Sequence, residues 1–98
     1  MKEKYCNKKT NRSQEEKKLI NNRLNRIEGQ INGVKKMIQD DAYCNDVLIQ
    51  LSAIENSVKS LSNYILENHL YGCVSRDLEN GKLDTIDELI SLFKRFNK

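Results

Sequence analysis

The sequence predicts an all-α chain: an antiparallel hairpin of two long helices followed by a short C-terminal helix. Three observations point there. Proline is absent and glycine occurs four times in 98 residues, so little breaks a helix. The β-branched and aromatic stretches and the turn residues that a sheet needs are scarce. Apolar residues instead recur at steps of three and four along two long segments.

Residues 1–12 are polar, lysine-rich and without period, and read as a mobile basic arm. Residues 13–98 read as one helical domain. Ser13, with Glu15 and Glu16 behind it, is an N-cap followed by acids in the first turn. From there Leu19/Ile20, Leu24, Ile27, Ile31, Val34 and Ile38 mark one helical face. Gly29 and Gly33 lie inside that helix; either they admit another backbone closely or they are simply tolerated. Asp40-Asp41 ends the helix. The second helix carries Val47, Leu51, Ile54, Val58, Leu61 and Ile65, a heptad-like stripe that continues to His69 and Cys73. Residues 78–82 form a break. Asp84 then caps a short third helix with Ile86, Leu89, Ile90, Phe93 and Phe96 on its apolar side.

No apolar run approaches the roughly 18 residues of a membrane span, and the opening residues lack the hydrophobic stretch of a secretory signal. The expectation is a soluble, cytoplasmic protein with no membrane partner. A chain of this size buries only about 60–65% of its extended surface, so thin helices gain from oligomerising.

Charge is uneven. Residues 1–36 hold eleven Lys/Arg against four acids, a net +7, whereas residues 37–98 hold six against ten, a net −4. A basic N-terminal third suggests a polyanion partner for that part; the plain alternative is a solvated tail and helix face. No Ser-His-Asp set, paired carboxylate site or glycine-rich phosphate loop occurs, so no enzyme is expected.

The cysteines stand at 6, 44 and 73. An odd count without an export signal argues against a disulfide framework. His69 and Cys73 are four apart, about 5–6 Å at Cβ on a helix, which suits two ligands of one metal. A packed His beside a Cys is the plain alternative. If the second helix is continuous, the 29 residues from Cys44 to Cys73 span roughly 43 Å. Cys44 then shares a metal with His69 and Cys73 only across two antiparallel copies, whose dyad falls near Ser57-Val58 and creates two equivalent sites. Two thiolates and an imidazole suit Cu(I) in a trigonal site, or Zn(II) with a fourth ligand. The single His in the chain favours Cu(I).

The run Arg23-Leu24-Asn25-Arg26-Ile27-Glu28-Gly29-Gln30-Ile31-Asn32-Gly33-Val34 resembles the first helix of the copper-sensing operon repressor (CsoR) family of bacterial regulators. Tyr43-Cys44 and His69-Leu70-Tyr71-Gly72-Cys73-Val74 resemble the two ends of its sensing helix. The likeness covers about residues 13–96. It implies a four-helix-bundle dimer, a dimer-of-dimers tetramer, and no helix-turn-helix. It also implies that the apo form binds double-stranded operator DNA of copper-export genes and that Cu(I) at an inter-subunit Cys44–His69–Cys73 site releases it. The nickel/cobalt branch has His where Cys73 stands and an N-terminal His that this chain lacks. The persulfide-sensing branch keeps two thiols without the His, which leaves a thiol-based sensor using Cys44 and Cys73 as the alternative.

The same resemblance makes Tyr43 a neighbour of the first ligand. It makes Glu88, with Asp87 as rival, the carboxylate that holds the ligand imidazole from behind. Arg23 and Arg26 match the family's DNA-contacting helix, with Lys17, Lys18, Lys35, Lys36 and Lys59 in support; surface pairing of the arginines with Glu28 or with acids of the second helix is the alternative. Without interleaved aromatics the expected contact is with duplex phosphates. Cys6 matches nothing in the family pattern and reads as a spectator. A metal-buffering bundle that never touches DNA is the remaining rival.

Overall fold

A computed structural model of the chain describes residues 9–96. Cys6 and most of the arm lie outside the described residues, and residues 9–12 have no regular secondary structure. Four α-helices follow: α1 (Gln14–Gln39), α2 (Cys44–His69), α3 (Ser75–Glu79) and α4 (Asp84–Phe96). A π turn, Leu70–Val74, joins α2 to α3. No strand occurs among the described residues, and none of their helices is long and apolar enough to cross a membrane.

The chain divides into two compact units, residues 1–63 and 64–98. The first holds α1 and most of α2. Ser13 caps α1 as its sequence indicates: its hydroxyl accepts from the Glu16 N–H at 3.0 Å. At the other end Asp41 adopts φ 54. The Ala42 N–H donates to the Met37 carbonyl and the Asp41 N–H to that of Ile38. This is the paired 6→1 and 5→2 closure of a Schellman motif, with a non-glycine residue in the left-handed position. The chain turns at once and α2 begins at Cys44, so the two helices run antiparallel. Arg23 of α1 bonds Ser60 of α2, residues equidistant from the centre of that turn.

Each helix uses one of its two apolar columns. On α1, Ile27 is buried with Ile20 and Val34 half-buried, while Leu24, Ile31 and Ile38 stay 46%, 46% and 61% exposed. On α2, Val47 and Leu61 are buried and Ile54 half-buried, while Leu51 and Val58 are each 45% exposed. The spacing within each column is seven. The inward columns pack between the helices; the outward ones have no cover in the unit. Gly29 and Gly33 bring nothing close: a Cβ at either would meet no atom within 4 Å.

In the second unit the break predicted at 78–82 is a Schellman motif of the same kind. Gly81 has φ 76, the Lys82 N–H donates to the Asp77 carbonyl at 2.8 Å, and the Gly81 N–H to that of Leu78 at 3.1 Å. Asp84 is the first residue of α4 rather than its preceding cap. Val74 and Thr85 are the buried residues of this unit. Ile86, Ile90, Phe93 and Phe96 on α4 remain exposed.

Candidate functional site

The soft donors sit at two places. Cys44 opens α2 and is exposed; Tyr43 before it is exposed as well. His69 closes α2, half-buried, and Cys73 lies half-buried in the π turn. Neither Cys44 nor Cys73 is in a disulfide.

The π turn was not legible in the sequence, where His69 and Cys73 read as one α-helical step. A π turn bonds i to i+5 and holds more residues per turn than an α-helix. A four-residue step overshoots an α turn but falls short of a π turn. The two donors therefore stay on one side, with the angular offset between them shifted in sense. The Ser75 hydroxyl donates to the Leu70 carbonyl at 3.0 Å and spans the widened turn.

Among the described residues no three His, Cys, Asp or Glu side chains form a group able to hold a metal. Neither Glu88, half-buried on α4, nor Asp87, exposed beside it, completes such a group with His69 and Cys73. The donor set itself suits a soft monovalent cation: two thiols and an imidazole, with no carboxylate among them.

The basic residues lie mainly on α1. Lys17, Lys18, Arg26, Lys35 and Lys36, and Lys59 on α2, are exposed. Lys36 shares its charge with Asp40 across 3.7 Å in a solvated pair. Arg23 is half-buried, and its Nη2 donates to Ser60 Oγ at 3.0 Å. Arg23, Arg26 and Ile27 of α1 line one cleft with Asn56, Ser57 and Ser60 of α2. From sequence Ser57 only marked the expected dyad, and Asn56 and Ser60 were not singled out. The spacing of the three, one and four on the polar side of the stripe, is the signal that marks them as one surface.

The sequence pattern of metal-sensitive transcriptional repressors matches residues 16–95. A copper-sensing transcriptional repressor, CsoR, of Bacillus subtilis is 41% identical over 88 residues, 89% of this chain and 87% of its own. Among solved structures, the crystal structure of the copper-sensing repressor CsoR with Cu(I) from Geobacillus thermodenitrificans superposes with a TM-score of 0.88 at 38% identity. The match covers 92% of this chain and 95% of that one. The nickel-responsive transcriptional regulator InrS superposes with a TM-score of 0.70 at 34% identity, over 90% and 97% of the two chains.

Proposed function

The chain belongs to the metal-sensitive transcriptional repressor family, a family of regulators and not of enzymes, and on that premise we propose that it is a Cu(I)-responsive repressor. Its apo form binds operator DNA, and Cu(I) releases it. One observation carries the reading: the soft donors are divided between the first residue of α2 and the π turn, and no three of the metal-binding side chains group within the described residues. A three-ligand site therefore draws on a second copy, Cys44 from one chain and His69 with Cys73 from another.

The uncovered columns support that assembly. Leu24, Ile31 and Ile38 on α1 and Leu51 and Val58 on α2 form more exposed apolar surface than a hairpin holds alone in water. A second hairpin laid on them makes a four-helix bundle with a two-fold axis. The dimer-of-dimers tetramer follows as the next level, using the exposed apolar side of α4.

When bound, Cu(I) supplies a soft centre that prefers thiolate and imidazole donors. The residues do the rest. Cys44 is tied to the π turn of another chain. Glu88 holds the far nitrogen of His69 and so fixes which nitrogen faces the metal, with Tyr43 beside the first thiolate. The assembly then favours an arrangement in which the basic face of α1 no longer matches the duplex. The basic residues concerned are Arg23 and Arg26 on one side of α1, Lys17, Lys18, Lys35 and Lys36 elsewhere around it, and Lys59 of α2.

The test starts from duplexes that the apo protein selects from a random pool. Wild type is expected to retain them and to release them with Cu(I). Cys44→Ala and His69→Ala are expected to retain them and to ignore Cu(I). A His69→Ala protein that lets go like the wild type would sink the proposal. Neither Cys44 nor Cys73 is in a disulfide and both are at least partly accessible, which favours a second reading, a persulfide sensor using Cys44 and Cys73. Mass spectrometry after polysulfide treatment separates the two: an inter-chain Cys44–Cys73 link with loss of DNA binding points to thiol sensing.

A further inference from the structure

We propose that the cleft between α1 and α2 is a seat for a single phosphodiester oxyanion of duplex DNA, built from Arg23 and Arg26 together with Asn56, Ser57 and Ser60. This rests on the repressor reading and deepens it: α2 polar side chains, and not the basic helix alone, set where the backbone of the duplex lies.

The cleft is a cavity of about 240 Å³, room for several waters or for a tetrahedral oxyanion with part of its hydration. Two guanidiniums line it and no carboxylate does, so its charge has one sign. Arg23 and Arg26 are three apart and face the same side of α1. Buried Ile27, next to Arg26 and one turn after Arg23, is an apolar floor to the cleft, which lowers screening beneath them.

Ser60 does what an isolated surface arginine lacks. By accepting from Nη2 at 3.0 Å it fixes the plane of the Arg23 fork, and a fixed planar fork matches phosphate geometry. Having accepted from Arg23, the Ser60 hydroxyl turns its own hydrogen away from it. Ser57, half-buried, and Asn56 bring a second hydroxyl and an amide to the same wall. Neutral donors next to cations orient an anion without repelling it.

A phosphodiester fits better than a small free anion because the charge continues past the cleft. Exposed Lys59 adjoins Ser60 at the edge of the cleft. A single anion needs no such track; a polymer of phosphates does.

The full-length, metal-free protein is titrated against a fluorescent random-sequence 30-base-pair duplex at several chloride concentrations. The Ser57→Ala/Ser60→Ala double variant is expected to bind about three- to tenfold more weakly with an unchanged salt slope, since it loses donors and no charge. Arg23→Gln is expected to bind more weakly and to lower the slope by about one per engaged chain. Melting and sedimentation check that both variants fold and assemble. Inorganic phosphate is expected to displace the duplex from wild type more effectively than chloride of equal ionic strength.

Three results overturn the seat: a double serine variant that binds like wild type, phosphate no better than chloride, or a metal-free protein that binds phosphate but no duplex of any sequence. The first two leave the repressor reading standing if Cu(I) still releases DNA. The third removes both.

Discussion

The Ser75 hydroxyl donates to the carbonyl of Leu70 at 3.0 Å, so a side chain bridges the one stretch of the second unit where the helix widens. Cys73 lies inside that stretch, and His69 immediately precedes it. A π turn gives up the better-formed α bonding, and the Ser75 bond offsets part of the difference.

Ser75→Ala is therefore expected to lower stability by about 0.5–1 kcal/mol, the lower part of the range for one hydrogen bond because Ser75 is exposed. Urea denaturation of the full chain measures it. No loss at all would mean that water replaces the bond without penalty.

The two Schellman turns make opposite forecasts. Asp41 occupies the left-handed position after α1, Gly81 the same position after α3. A side chain there strains the backbone and glycine does not. Asp41→Gly is expected to stabilise by up to about 1 kcal/mol, and Gly81→Ala to destabilise by about 1 kcal/mol although its Cβ would meet no neighbour within 4 Å. Thermal melts of the pair, side by side, read the signs.

Val58 and Leu51 point the unused column of α2 outward. A charge placed there leaves the hairpin's own contacts intact and disrupts only a contact between copies. Val58→Glu and Leu51→Glu are expected to shift the protein toward monomer in sedimentation and to lose helicity with it, because most helical stability comes from tertiary packing. Lys82→Glu, on the exposed turn of the second unit, is the control and is expected to leave assembly unchanged.

If Cu(I) weakens operator binding by some factor, operator DNA must weaken Cu(I) binding by the same factor. Competition with a Cu(I) chelator, with and without the selected duplex, measures the second; anisotropy measures the first. In Cys44→Ala both factors are expected to collapse toward one together.

Much of this was legible in the residues. The period of three and four from Leu19 to Ile38 and from Val47 to Ile65 specified two long helices, because burying an apolar stripe is the main gain available to such a chain. Ser13, Asp40-Asp41 and Gly81 marked ends where backbone groups need partners or a left-handed residue. Cys44, His69 and Cys73 suggested soft-metal chemistry through donor type alone, and that reading stands as the proposal above. Three things waited for the tertiary structure. Which apolar column packs inward depends on how α1 and α2 meet, and the stripe alone presents both. The π turn at Cys73, with the Ser75 hydroxyl bonded across it to the Leu70 carbonyl, shows only once the backbone is placed, because the three-and-four spacing is the same for an α turn. The cleft joining Arg23 to Ser60 unites residues thirty-seven apart in sequence, and only the closed hairpin brings a cation and a hydroxyl that far separated along the chain within hydrogen-bonding distance.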